Sequence, residues 1–259
     1  MIIKNLIKKF FFILNYKIIA SERYKELISA EKERNALELV TLLEPSLQKL
    51  TINNISFSKS QIAQDLFVLS ELNFKKKGFF VEFGATDGID LSNTYLLEKN
   101  FSWEGILAEP ARQFHKNLEE NRNVFIEKNC VWHSSNKNLI FNEIGGLSTI
   151  DAFSNFDINF KARSGGKKYK VQTISLEDLL DKYNAPSKID YLSIDTEGSE
   201  LEILSSFNFE KYKFQIITCE HNYNSNREQI YKLLLQKGYV RKYTDISKVD
   251  DWYVLAENL

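Results

Sequence analysis

The chain has 259 residues, enough for one sizeable α/β domain with an extension at one end. Its 34 basic and 35 acidic residues nearly cancel, so nothing in the overall charge points to nucleic acid as a partner. Cys130 and Cys219 lie in separate strand-like runs at no metal-ligand spacing and read as free buried thiols in a reducing compartment.

Residues 1–20 differ in kind from the rest. Ile3, Leu6, Ile7, Phe10 and Leu14 recur at helical spacing, and Lys4, Lys8, Lys9 and Lys17 fall largely off that face. The uncharged run 10–16 is far short of the ~20 residues that span a bilayer. No small-x-small cleavage site follows cleanly. The segment is expected to lie in a membrane interface, which places the protein in the cytoplasm, peripherally on the inner face of the cytoplasmic membrane. Packing on the domain or on a partner subunit is the alternative. Residues 24–43 continue as a charged, exposed helix until Pro45. Residues 1–57 are therefore read as a helical extension and 58–259 as the main domain.

An amphipathic helix is predicted over 60–72, and residues 79–83 form an apolar strand ending in the turn Gly84-Ala85-Thr86-Asp87-Gly88. A helix follows over 92–100, with Ser92 as its N-cap. The strand 104–108 ends in Glu109-Pro110, and a helix over 111–121 and a short strand at 124–126 come next. Signals then thin: a hairpin arm at 139–144, Gly145-Gly146, and a basic loop over 161–170. Alternation resumes with a strand at 169–174, a helix over 176–183 capped by Ser175, a strand at 190–194 and a helix from Ser199. A strand at 214–219, a helix over 226–236 stopped by Gly238, and strands at 239–243 and 252–255 close the chain. This order predicts an α/β fold: a Rossmann-like, doubly wound, mostly parallel sheet with one antiparallel strand at its end.

Ligands of such sheets sit beyond the carboxyl ends of the strands. Glu82, Glu109 and Asp195 fall there. A dinucleotide would need G-x-G-x-x-G, but Thr86 stands at the middle glycine, and Glu82 and Asp87 would repel a diphosphate. A cationic cofactor without phosphate suits these residues better. S-adenosylmethionine carries a sulfonium and an α-amino group, and the two oxygens of Glu109 suit its ribose hydroxyls.

With these residues in place, the chain resembles the FkbM-type methyltransferases over about residues 60–259. The resemblance is carried by Ser60-Gln61 with Gln64-Asp65, Val81 to Gly88, Ser92-Asn93-Thr94, Trp103-Glu104-Gly105, Glu109-Pro110 and Thr173 to Leu180. Its most specific part is the block Ile189 to Glu200, which contains Asp195-Thr196-Glu197-Gly198-Ser199-Glu200. Thr86 stands where the family commonly has Asn, and Ser193 where it commonly has Lys. The cofactor site is expected at Glu82, Gly84, Ala85, Thr86, Asp87, Gly88, Asn93, Thr94, Glu109 and Asp195. The resemblance implies O-methylation, often of glycan sugars or secondary metabolites.

Methyl transfer is an in-line displacement that needs an oriented acceptor oxygen and gains from a base. His221, in Cys219-Glu220-His221-Asn222, is the expected base. Asp195 is expected to orient it or to face the sulfonium, and Glu197 completes the catalytic set. Glu200 reads as a helix-start residue, and His115 and His133 as non-catalytic. No metal site is assigned; a divalent ion on Asp195 and its neighbouring carboxylates is the less favoured reading. The loop 161–170 is expected to cover the acceptor, with Lys167 and Lys168 toward an anionic substrate. The favoured acceptor is a sugar hydroxyl of a cell-surface glycan or its precursor. Methylation of a small secondary metabolite, a membrane-associated binding or scaffold role, and a nucleotide-sugar dehydrogenase or epimerase are the alternatives. The oligomeric state is not legible.

Overall fold

The computed structural model describes residues 21–157 and 159–258; the interfacial helix expected within 1–20 lies outside them. Three strands come first: β1 (Phe79–Phe83), β2 (Glu104–Ala108) and β3 (Phe125–Glu127). Four more, β4 (Cys130–Trp132), β5 (Asn138–Glu143), β6 (Thr149–Ile150) and β7 (Lys167–Ser175), make a separate sheet. The last four are β8 (Lys188–Ile194), β9 (Lys213–Glu220), β10 (Tyr239–Lys242) and β11 (Asp250–Leu255).

The central sheet has the order β10-β11-β9-β8-β1-β2-β3. All of its pairs are parallel except those of β11, which runs antiparallel to β9 and β10, as the short final connection predicts. From β1 the chain winds outward through β2 and β3, and from β8 it winds the other way through β9. The switch in strand order therefore falls between β1 and β8, where an open α/β sheet leaves a crevice.

Side chains alternate across the pleat, so each strand serves two cores. Val81, Phe83, Leu192 and Ile194 pack with Leu179, Ile203 and Leu204 on one face. Phe80, Tyr191, Ile216 and Trp252 pack with Leu66, Phe67 and Leu97 on the other. The helix Ser21–Leu42 joins this second core through Ala36 and Leu39, with Leu43 just after it, and the helix Pro45–Asn54 packs against it through Leu47. The first of these helices is therefore not an exposed arm as expected: one apolar stripe among its charges is enough to dock it. No helix among the described residues is long and apolar enough to cross a membrane.

Local chemistry moves one boundary and holds another. The helix expected from Ser60 begins at Gln64, because Ala63 takes a left-handed conformation (φ 70°) and the Ser58 and Ser60 hydroxyls both donate to Asp65. Ser175 caps the helix Leu176–Lys182 as expected, its Oγ accepting from the Asp178 amide at 3.1 Å. The strand at 169–174 was expected in the central alternation, yet β7 lies in the second sheet, order β4-β7-β5-β6. The alternation of exposed Lys170 and Gln172 with buried Val171 and Thr173 marks a strand covered on one side only.

Candidate active site

A cavity opens beyond the carboxyl ends of β1, β2 and β8. Gly84 makes it possible: at φ 74°, a Cβ there would lie 2.2 Å from the Asp195 carbonyl oxygen. The two strand ends thus approach as closely as backbones allow. Five carboxylates line the cavity, those of Glu82, Asp90, Glu109, Asp195 and Glu197, and among the described residues no Lys, Arg or His does. Such a field favours a cation and opposes a diphosphate.

Glu82 is buried and spends its oxygens on the loop that follows the turn. It accepts from the Asn93 amide at 2.7 Å, from Ser92 Oγ at 3.1 Å and from Thr94 Oγ1. Burial pushes its carboxyl up, and Arg122, 3.7 Å away, opposes that shift. Its work is therefore to hold residues 92–94 against the cavity. Asn93 donates its amide to Ser193 Oγ at 3.0 Å, which leaves its Oδ1 buried and without a partner among the described residues, in a side chain that lines the cavity. An acceptor of this kind suits an N–H donor such as an α-amino group.

Glu109 accepts from the Thr86 amide at 2.8 Å and the Ala111 amide at 2.7 Å. Burial raises its carboxyl to about 7, and Glu143 adds to the shift. The Thr86 bond closes the turn with Thr86 in the left-handed region (φ 46°), a costly conformation for a β-branched residue. Asp87 is a turn former, its Oδ1 accepting from the Ile89 and Asp90 amides at 2.9 Å. Ala85, Asp87, Gly88 and Thr94 shape the turn and loop without lining the cavity.

The acidic groups concentrate at the end of β8. Asp195, Glu197 and Glu220 bring carboxylate oxygens within 4.8 Å of one another. Arg163 answers Glu197 at 2.5 Å while also gripping Asp157 with two bonds of 2.7 and 2.8 Å. Asn222 donates to the same Glu197 oxygen at 3.2 Å. Asp195 and Glu220 have no cation within ion-pair distance among the described residues. Burial and mutual repulsion push Asp195 up to about 7, Glu197 up to about 8, and Glu220 well above the carboxylate range. Near neutrality this group keeps protons that ordinary carboxylates have lost. No metal is assigned to it, since the cluster can be neutralised by Arg163 and by protons.

His221 stands apart from the cavity. The imidazole is buried, does not line the cavity, and accepts from the Tyr223 amide through Nδ1 at 3.0 Å. Its Nε2 lies 3.8 Å from Asp251, so Asp251 and not Asp195 is the carboxylate beside it. Burial lowers it to about 4. Its lone pair is committed to the backbone, which leaves a poor base.

Sequence reasoning missed Glu220, Arg163 and the contribution of the second sheet. Phe141, Ile150, Cys130 and Val131 form an apolar wall of the same cavity as Glu109, suited to a flat heteroaromatic ring. Gly145-Gly146, visible in the sequence, also lies on this wall. The loop 161–170 does not cover the cavity. Arg163 turns inward to Glu197, and Lys167 and Lys168 lie on β7, with Lys168 paired to Asp151. Glu220 carried a signal in sequence, since it precedes His221 at the same strand end.

The model of the methyltransferase FkbM domain matches residues 82–252, more than half of the chain. The chain belongs to this family and is a methyltransferase. Two solved structures show what it is similar to. A methyltransferase FkbM from Methylobacillus flagellatus KT is 14% identical, with 85% of this chain and 58% of that one covered and a TM-score of 0.47. A precorrin-6y C5,15-methyltransferase from Geobacter metallireducens GS-15 is 12% identical, with 75% and 87% covered and a TM-score of 0.41. No curated protein sequence gives a significant match.

Proposed function

We propose that the chain is an S-adenosylmethionine-dependent O-methyltransferase that acts on a sugar hydroxyl of a cell-surface glycan or its precursor. One observation carries the choice of donor: the cavity at the switch between β1 and β8 has five carboxylates and no basic side chain among its described lining residues. The α-amino group suits the free Asn93 Oδ1, the sulfonium suits Asp195, and the ribose hydroxyls suit Glu109 beside the apolar wall. When bound, the cofactor supplies an activated methyl group.

The base in this reading is the Asp195–Glu220 pair, not His221. Transfer removes the positive charge of the sulfonium and frees a proton from the acceptor oxygen. Loss of the cation beside it makes the crowded carboxylate pair more basic, and the proton from the acceptor oxygen takes the cation's place. Arg163 and Asn222 fix Glu197 beside the pair.

The test is mass spectrometry of the surface glycans of cells with and without the gene, followed by labelling with purified protein and isotopic S-adenosylmethionine. The expected result is a loss of one methylene mass per modified sugar, restored by the protein with the label incorporated. Unchanged glycans would place the acceptor among small metabolites.

A further inference from the structure

The helices that precede β1 leave a second cavity, an open groove of about 980 Å³. Asp90 lines both this groove and the donor cavity, so one turn of chain, residues 89–91, separates them. A bridge between Ser60 and Leu91 ties that turn to the groove wall.

Apolar side chains share the groove with serines and charged residues. Ile28 and Leu37 come from the helix Ser21–Leu42, Ile52 from the helix Pro45–Asn54, and Ile55 from the turn after it. Ile28, Leu37 and Ile52 are 36%, 45% and 51% exposed, an apolar strip that water solvates poorly. Two ammonium groups sit among these side chains. Lys32 donates to the Lys59 carbonyl oxygen at 3.0 Å, and neither lysine has a carboxylate within ion-pair distance among the described residues. Nearby Asp65 is occupied by Ser58 and Ser60, which leaves Glu33 and Asp90 as the acidic residues on the groove.

We propose that this groove holds the methyl acceptor, and that the acceptor is an amphiphile: a hydrocarbon chain joined through a phosphate ester to the group that is methylated. The inference rests on the methyl-transfer reading and adds the substrate class to it. Apolar walls require the chain, Lys32 and Lys59 require the anion, and the shared Asp90 places the far end of the ligand next to the donor. A neutral lipid would leave both lysines unanswered, and a free phosphate would leave the walls wet.

The test is calorimetric titration of the full chain with dodecyl phosphate below its micelle concentration, beside dodecyl maltoside, inorganic phosphate and anionic vesicles. S-adenosylmethionine is titrated into the same samples. Dodecyl phosphate is expected to bind, to leave S-adenosylmethionine affinity intact, and to weaken at least tenfold in Lys32→Gln/Lys59→Gln. Leu37→Glu is expected to weaken it as well, without loss of donor binding. Absence of dodecyl phosphate binding, equal binding by the double variant, or binding of vesicles alone overturns the inference while donor binding stands. A protein that binds neither ligand overturns the methyl-transfer reading itself.

Discussion

Glu220→Gln separates a charge-balancing carboxylate pair from a passive acidic wall. S-adenosylmethionine and its demethylated product differ by one positive charge at one place, the sulfur. Asp195 is held up to about 7 by burial and by Asp250, Glu200 and Glu82, so the empty pair retains a proton near neutrality. A cation beside it expels that proton, and a neutral thioether does not. If one proton leaves with the donor and none with the product, linkage makes their affinity ratio rise by up to about tenfold per pH unit, or ~1.4 kcal/mol, around pH 6–7. Calorimetry of both ligands in phosphate and Tris, whose ionisation heats differ, counts the protons. Glu220→Gln removes the carboxyl that burial and Asp195 keep protonated, so fewer protons should be released and the ratio should flatten. The same proton count for both ligands, or an unchanged count in Glu220→Gln, would refute the reasoning. The sign also fixes a stability trend. Raised carboxylates stabilise the empty fold fully below the unfolded value near 4, and that contribution is lost as pH rises through about 7 and 8. The Tm of the empty protein is therefore expected to fall between pH 6 and 8 more than that of the donor-bound protein.

Three further outcomes are expected. His221→Ala should leave donor affinity within about twofold but cost ~1–2 kcal/mol of stability by chemical denaturation, because it empties a buried site and removes the acceptor of the Tyr223 amide; a large loss of donor affinity would return the imidazole to the binding site. Gly84→Ala should destabilise by at least ~2 kcal/mol, since its Cβ meets the Asp195 backbone at 2.2 Å in a left-handed conformation. Arg122→Met should cost ~3–5 kcal/mol, leaving Glu82 buried without its cation and Glu98 with Lys99 alone; a urea midpoint within error of wild type would mean that Glu82 is neutral.

Much of the central sheet was legible because its strands carry strong local signals. β1 is an unbroken β-forming run, β2 ends at a proline, and Gly238 stops the last long helix. Buried parallel strands must read this way, since both faces are covered. The second sheet was harder to read, because β4 and β6 are two or three residues long and gain their place from pairing with β5 and β7. The positions of Glu82, Glu109 and Asp195 at strand ends could be inferred from the fold alone. Which neighbours those acids would have could not. Arg163 reaches Glu197 from 34 residues away, and Asp251 reaches His221 from another strand. His221 suits a base by residue type, and its contact with the Tyr223 amide and its closed surroundings come from the tertiary structure.

Titration of S-adenosylmethionine into the full chain, wild type beside Glu109→Ala, tests the central claim most directly. The wild type should bind, and Glu109→Ala should bind roughly 10–100-fold more weakly, the loss of charge-assisted hydrogen bonds worth ~1.5–3 kcal/mol. Glu109→Gln, which keeps an acceptor oxygen, should lie between them. No heat from the wild type, or NAD binding in its place, would contradict the assignment of this carboxylate-lined cavity to a cationic methyl donor.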